Sequence, residues 1–139
     1  MVNLFFEDTE VLDLNPDFFA LWLSKVCVEH KRELGEINLI FCSDEYLLEL
    51  NIEHLNHDYY TDIITFDYYE KLITGDLFIS VDRVVENAGF LGVEFITELN
   101  RVVVHGTLHL LGFGDKSPEE EVLMRKLEDE ALLIVSRGT

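Results

Sequence analysis

The amino-acid sequence predicts a single α+β domain that covers residues 1–139. Short β-prone runs lie mostly early in the chain, and amphipathic helical patterns partly interleave with them and then follow them. No linker, internal repeat or change of composition divides the sequence. We therefore expect about four strands and four or five helices around one core.

The first part of the chain alternates between strand and helix patterns. The apolar, β-prone run at 2–6 predicts the first strand. Asn15 can cap a helix that has Pro16 at its first position, and we expect this helix to end near Gly35. The run at 36–42 predicts the second strand. The apolar residues of the helix recur at helical spacing: Phe18, Phe19, Trp22, Leu23 and Val26.

The middle of the chain contains a helix start, a polar loop and two further strand patterns. Ser43 precedes a short helical pattern, and residues 51–61 are polar and loop-like. The β-branched runs at 62–66 and 77–81 predict two neighbouring strands. Asp82 can cap the helix that follows them.

The remaining third of the chain is predicted to be helical. Residues 94–111 form an amphipathic pattern that ends at a glycine turn beginning with Gly112. Its polar residues recur every three or four positions along one stripe: Glu94, Glu98, Arg101, His105 and His109. Ser117, Pro118 and Glu120 supply an N-cap, a proline at the first position and a capping-box carboxylate for the last helix.

The charge of the chain excludes a generic basic nucleic-acid binder. Ten Lys and Arg against 28 Asp and Glu give a formal net charge of −18. A field of this sign repels phosphate backbones and anionic membranes at long range. A polyanionic substrate would therefore need a local positive feature, such as a metal ion.

The cysteine pattern and the N-terminal sequence favour a cytoplasmic protein. Cys27 and Cys42 lie among apolar residues without a CxxC motif, so we expect buried, reduced thiols. The sequence shows no signal-peptide pattern and no uncharged apolar run of membrane-spanning length.

The acidic residues of the last helix are expected to form a solvated face. They are Glu119, Glu120, Glu121, Glu128, Asp129 and Glu130. Such a surface could also meet a basic protein partner. We expect Arg101 to pair with Glu98 or another carboxylate.

One motif, at residues 105–115, has the residue types and spacing of a metal-binding site. His105 and His109 are four residues apart on a helix, so they lie one turn apart on the same face and can reach one ion. Gly112 lets the chain turn back and present Asp115 as a third ligand. The spacing H-x3-H-x2-G-x2-D is the metzincin frame with Asp in place of the third His. Three protein ligands leave a position open, which is typical of a catalytic site.

Two other interpretations of this motif have less support. An H-x3-H pair alone is often just two polar residues on a helix face, but the glycine turn and the carboxylate favour a metal site. In zinc peptidases the residue after the first histidine is the Glu that acts as general base, and here it is Gly106. Peptidase chemistry therefore has little support.

The segment His105 to Asp115, HGTLHLLGFGD, resembles the histidine motif of the YbeY family of metal-dependent endoribonucleases. Three other features fall where that family has them: Asn51 followed by a polar loop, the strand motif TDIITF at 61–66, and GDLFIS at 75–80. The resemblance covers about residues 36–133, and the order and spacing of the motifs agree.

The resemblance implies a zincin-like α+β domain, with a mixed, mostly four-stranded sheet and four to six helices that include the metal-binding helix. It implies that His105, His109 and Asp115 bind one Zn²⁺, or another divalent ion, and are the catalytic residues. The implied activity is single-strand-specific RNA cleavage in 16S rRNA 3′-end maturation and ribosome quality control. The implied partners are ribosomal RNA, the small ribosomal subunit and a possible basic ribosomal protein, without DNA or membrane.

The chain departs from the family pattern at two places. The usual third ligand is a histidine, and a carboxylate at Asp115 should weaken the pull of the metal on bound water and broaden metal choice toward harder ions. Family members also commonly carry an Arg in the loop before the threonine motif, where this chain has Leu55. His54 and His57 are the only possible cations in that loop, and we expect each to be a solvated loop histidine.

Three functions stay open on the sequence alone. The first is the ribosomal RNA endoribonuclease, the second is a metal-dependent hydrolase of another substrate class, and the third is a non-catalytic ribosome-assembly factor with a structural metal site. For the nuclease, the sequence does not choose between a metal hydroxide and the RNA 2′-OH as the nucleophile.

Overall fold

A computed structural model describes residues 1–136, which form one mixed sheet with five helices packed around it. In chain order the elements are β1 (Val2–Phe6), α1 (Pro16–Glu29), β2 (Leu34–Cys42), α2 (Asp44–Leu55), β3 (Ile63–Asp67), β4 (Ile73–Ser80), α3 (Val81–Leu91), α4 (Phe95–Leu110) and α5 (Pro118–Ser136). The predicted α+β class and the four-stranded mixed sheet are confirmed. That one domain covers all of 1–139 stays a prediction, because 137–139 lie outside the described residues.

The sheet has the strand order β1-β2-β4-β3. The first three strands in this order are parallel, and β3 runs antiparallel to β4 at the edge. Parallel neighbours need a crossover connection, and α1 and α2 lie in the crossovers between these strands. The antiparallel edge places β3 beside the helix that carries the histidines.

Successive strand residues point to opposite faces, and each face has its own core. On one face Leu39 and Leu77 pack with α1, α4 and α5 in the larger cluster. On the other face Cys42, Ile64 and Leu47 form a smaller cluster beneath α2. The site described below lies on the side of the larger cluster, because α4 packs against β3 and β4 there.

Helix α1 ends earlier than predicted, at Glu29 instead of near Gly35. Lys31 has a φ of 59°, a left-handed conformation that stops the helix, and the Arg32 N–H closes the turn on the carbonyl of Cys27. Strand β2 then begins two residues before the predicted 36–42 run. The sequence signal was weak because no glycine or asparagine marks the left-handed position.

Helix α2 runs to Leu55, so the loop predicted from residue 51 is wrong over its first five residues. The side chain of Asn51 is buried, and its amide donates to the carbonyl of Tyr59. The helix ends where Asn56 adopts a φ of 55°. The polar composition predicted a loop, but these residues belong to a helix, in which Asn51 is buried and Glu53 and His54 are exposed.

The predicted start of α3 is also corrected. Ser80, and not Asp82, is the N-cap, and its hydroxyl accepts a hydrogen bond from the Arg83 N–H. Asp82 lies in the first turn and accepts from the N–H of Asp44. Strand β4 begins at Ile73, four residues before the predicted run. The prediction missed these residues because the N-terminal half of the strand includes polar and glycine residues.

The predicted start of α5 is confirmed. The Ser117 hydroxyl accepts from the Glu120 N–H at 3.1 Å, and the Glu120 carboxylate accepts from the Ser117 N–H at 3.1 Å. This reciprocal capping box fixes the chain directly after Asp115.

Cys27 and Cys42 are buried free thiols, as predicted. Burial raises the pKa of Cys27 to about 11 and that of Cys42 to about 12. Both are therefore inert side chains of the two cores. Within residues 1–136, no helix has the length and apolar content needed to cross a membrane.

Candidate metal centre

The structure brings together the three residues that the sequence motif singled out. His105 and His109 lie one turn apart in α4, and Asp115 lies in the turn that follows. Gly112 has a φ of 103°, which residues with a side chain rarely adopt, and this lets the chain reverse after α4. The Phe113 N–H closes the turn on the carbonyl of Leu108 at 3.0 Å.

Three potential ligand atoms converge on one point. The His105 and His109 Nε2 atoms are 3.0 Å apart, and Asp115 Oδ2 is 3.2 Å from the first and 3.3 Å from the second. Ligand atoms about 2.0–2.2 Å from a shared ion are about 2.8–3.1 Å from each other at a ligand–ion–ligand angle of 90° and about 3.3–3.6 Å at the tetrahedral angle. The three residues therefore have the spacing that one divalent ion requires.

The outer nitrogen of each ring is held by a hydrogen-bond acceptor. His105 Nδ1 donates to Glu128 Oε2 at 2.6 Å, and His109 Nδ1 donates to the carbonyl of Phe113 at 2.8 Å. Because neither acceptor carries a proton, each neutral ring keeps its proton on Nδ1 and turns the lone pair of Nε2 toward Asp115. Two lone pairs and a carboxylate facing each other repel unless a cation lies between them, so the donor set fits a metal ion.

Glu128 is a part of this site that the sequence analysis missed. It was expected in a solvated face, but it is only 5% exposed. Its second oxygen, Oε1, accepts from Arg101 at 2.9 Å, and Arg101 also pairs with Asp129 at 2.8 Å. Pairing of Arg101 with a carboxylate is thus confirmed. The missed signal was helical spacing, since Glu128 falls on the same face as the buried residues Met124, Leu127 and Ala131.

Burial and charge shift the pKa values of His105 and Glu128 in opposite directions. Burial alone would lower the pKa of His105, but the hydrogen bond and the negative charge of Glu128 raise it. Burial acts to raise the pKa of Glu128, but the hydrogen bonds from His105 and Arg101 outweigh it and lower it. The carboxylate therefore stays ionised and makes the His105 ring a stronger ligand.

Two further carboxyl groups lie beside the site. Asp62, which directly precedes β3, lines the cleft next to His105, and burial raises its pKa although the charge of His105 opposes this. Glu98 is buried one turn before Arg101, and burial together with the charge of Asp62 raises its pKa. The surroundings of the site are therefore acidic, and they favour a cation.

Gly106 explains why this helix carries no general base next to His105. A Cβ atom at this position would lie 2.7 Å from Ile63 Cδ1 and 3.1 Å from Leu77 Cδ1. Position 106 faces the sheet, where α4 packs closely against β3 and β4. A side chain at this position would press on the ends of the Ile63 and Leu77 side chains, which would have to shift.

The three residues open into a cleft of about 610 Å³. His105, His109 and Asp115 form one side of the cleft. Most of the remaining lining residues belong to β3 or to the segment between α2 and β3. Leu55 and His57 line the cleft, whereas His54 does not. His57 lies in the loop as predicted, but the expectation of a loop histidine is wrong for His54, which lies in the last turn of α2.

Comparison with known proteins gives one consistent family. The family model described as Endoribonuclease YbeY matches residues 6–135. A Flavobacterium johnsoniae protein named Endoribonuclease YbeY is 50% identical over 133 residues, covering 95% of each chain. A Bacteroides thetaiotaomicron protein of the same name is 50% identical over 127 residues, covering 91% of this chain and 93% of the relative.

A solved structure shares the fold. The solution structure of TM1509 from Thermotoga maritima has a TM-score of 0.57 and 27% sequence identity. The match covers 94% of this chain and 89% of that one.

Proposed function

Because the chain belongs to the YbeY family of endoribonucleases, we propose that it cleaves single-stranded RNA with one divalent metal ion held by His105, His109 and Asp115. The observation that supports this most is the convergence of two Nε2 atoms and one carboxylate oxygen within 3.0–3.3 Å at an open cleft. We propose Zn²⁺ as the ion, since two imidazoles and one carboxylate suit it, although the carboxylate also accepts harder ions.

A bound divalent ion supplies a Lewis acid that polarises a phosphodiester oxygen and acidifies water. The residues of the chain hold the geometry for this chemistry. Glu128 and the carbonyl of Phe113 fix the two rings, so both Nε2 atoms are presented without rearrangement. Asp115 adds the negative charge that a dication needs, and the capping box at Ser117 holds the chain that follows it.

The substrate class follows from the family and from the openness of the cleft. We propose 16S ribosomal RNA of the small subunit as the substrate, with action at its 3′ end and in ribosome quality control in the cytoplasm. The cleft has a volume of about 610 Å³ and is open to solvent, which favours an unpaired strand over a duplex. The 2′-OH is the group by which a protein can distinguish RNA from DNA. The exposed acids of α5 favour a basic ribosomal protein as a partner.

The two alternative functions are not favoured. A zinc peptidase of this type needs a Glu at position 106, where this chain has Gly106 packed closely against Ile63 and Leu77. A role as a non-catalytic assembly factor would not explain why relatives that are 50% and 44% identical to this chain are named endoribonucleases.

The test is cleavage of a 5′-labelled single-stranded RNA by protein that has been stripped of metal and reloaded with Zn²⁺, Mn²⁺, Ni²⁺ or Mg²⁺. We expect cleavage that requires metal and falls at least about 100-fold in Asp115→Ala prepared identically. A 2′,3′-cyclic phosphate end would identify the RNA 2′-OH as the nucleophile. Equal activity of wild type and Asp115→Ala, or none in either, would overturn the proposal.

A further inference from the structure

The cleft needs a group that binds phosphate beside the metal ligands. Its lining includes the carboxylates of Asp62, Asp67 and Asp115, and the chain has a net charge of −18. A phosphodiester next to these groups is repelled unless donors or cations face it. Apart from the two histidines at the metal centre, the basic side chains that line the cleft within residues 1–136 are His57 and Lys116.

We propose that His57 and Lys116 form a phosphate-binding subsite for RNA in this cleft, with Tyr59 as the residue that orients His57. The inference deepens the proposed function and rests on it for the identity of the substrate. It assigns substrate binding to residues outside the sequence motif.

His57 and Tyr59 form a preorganised pair. Their rings stack with centroids 5.1 Å apart and planes 23° apart, and Tyr59 Oη is 3.0 Å from His57 Nδ1. A phenol is a good donor, so its hydroxyl donates to Nδ1 and the neutral ring carries its proton on Nε2. This leaves an N–H donor of His57 for a phosphate oxygen.

The backbone that carries this pair is anchored to α2. The buried amide of Asn51 donates to the carbonyl of Tyr59 at 2.9 Å, and the His57 N–H donates to the carbonyl of Asn51 at 3.2 Å. The exposed rings therefore project from a loop that is fixed from beneath. Fixing the loop in the free protein reduces the entropy lost when RNA binds.

Lys116 directly follows Asp115, so its position is fixed by the same turn. Its N–H donates to Glu120 Oε1 at 3.1 Å, and its side chain is exposed. Among the described residues it forms no ion pair with a carboxylate within 4.0 Å. A lysine that lines an acidic cleft without an ion-pair partner is available to a phosphate.

His54 provides the natural control. It lies three residues before His57 and is also exposed, but its ring contacts Phe66, with centroids 6.0 Å apart, and it does not line the cleft. Phe66 belongs to the smaller core on the opposite face of the sheet. The two side chains have the same chemistry, but His54 lies in the last turn of α2 and contacts Phe66, whereas His57 lies in the loop and lines the cleft.

The experiment measures binding and turnover separately. Binding of a fluorescein-labelled, 2′-O-methyl single-stranded RNA to Zn²⁺-loaded protein is followed by anisotropy, with a gel to verify that the probe stays intact. We expect His57→Ala and Lys116→Ala each to raise Kd, and KM on cleavable RNA, by about tenfold, because each removes a hydrogen bond to a charged group. We expect kcat and zinc content to stay within twofold, and His54→Ala to match wild type.

The orienting role of Tyr59 is tested by a double-mutant cycle. We expect Tyr59→Phe to raise Kd about threefold in the wild-type background and to have no effect in His57→Arg, whose planar donor group does not depend on the phenol. His57→Arg itself should keep Kd within threefold of wild type.

The outcomes separate this inference from the proposed function. If wild type cleaves RNA but His57→Ala and Lys116→Ala bind it as wild type does, or if His54→Ala loses as much affinity, the subsite is wrong and the nuclease stands. If RNA binds with the expected dependence but is not cleaved with any metal, the subsite stands and the nuclease is wrong. If wild type does not bind the RNA probe, the subsite is wrong.

Discussion

The metal side of the cleft, formed by His105, His109, Asp115 and Glu128, is held by hydrogen bonds that lead into the protein interior. The loop side, residues 56–61, is almost entirely exposed, and of its hydrogen bonds to α2 only the one from the Asn51 amide comes from a buried side chain. The geometry of the metal ligands therefore depends on buried contacts, which tolerate few substitutions. Substrate recognition depends on surface residues that can change without disturbing the metal side.

The largest effect we expect is on the metal side, at Glu128. Glu128→Gln removes the charge that orients His105 and neutralises Arg101, so zinc affinity should fall about 10–100-fold, measured by competition with a chelator. The matched control is Asp129→Asn, which changes the exposed partner of the same Arg101. Equal zinc affinities in the two variants would contradict this expectation, because the buried contact of Glu128 would then contribute no more to zinc binding than the exposed contact of Asp129.

The next effect concerns the packing of α4 against the sheet. Gly106→Ala places a methyl group 2.7 Å from Ile63 Cδ1, so we expect a loss of about 1–3 kcal/mol in the free energy of unfolding, measured in urea. Gly89→Ala in α3 is the control, since its Cβ would meet nothing within 4 Å, and it should stabilise by about 0.4–1 kcal/mol. If Gly106→Ala were also stabilising, the close approach of α4 to β3 would be wrong.

A smaller effect concerns Glu98 and its pH dependence. Burial and the charge of Asp62 raise the pKa of Glu98, so the folded state binds this proton more tightly than the unfolded state does. Stability therefore falls as pH rises from the usual Glu range through the raised pKa. Glu98→Gln should flatten this slope and raise Tm at pH 7 by about 2–4 °C in thermal melts. A steeper slope in the variant would contradict the assigned cause.

The smallest effect is expected on the loop side, at Tyr60. Its hydroxyl donates to Glu45 at 2.7 Å and its ring contacts Arg83, but the residue is exposed and does not line the cleft. Tyr60→Phe should change Tm by less than about 2 °C and leave kcat/KM within twofold, because exposed polar contacts contribute little. A tenfold loss of kcat/KM would show that the loop is a more rigid part of the site than its exposure indicates.

The parts of the site that sequence could predict are those set by local spacing. His105, His109, Gly112 and Asp115 lie within eleven residues, and helix geometry plus one glycine turn is sufficient to bring them together. The capping box after Asp115 is equally local. The α+β class followed from the apolar and β-branched strand runs and the helical patterns between them, whereas the mixed sheet was implied by the resemblance to the family.

The parts that could not be predicted depend on contacts between distant segments. Glu128 was assigned to solvent because five other acids share its helix, and only the packing of α5 on α4 brings it to His105. Asn51 was assigned to a loop because it is polar, yet its amide is satisfied inside the protein by Tyr59. The end of α1 was missed because a lysine adopts the left-handed conformation that usually marks glycine.

The sequence separations in the two halves of the fold have a consequence for folding kinetics. Glu128 and His105 are 23 residues apart, whereas Asn38 and Asp76, which join β2 to β4, are 38 apart. Loop-closure entropy rises with separation, so the α4–α5 hairpin can dock before the parallel strands pair. The residues that bind the ion would then be assembled before the parallel strands pair, and an ion bound at that stage would stabilise the folding nucleus as well as the native state.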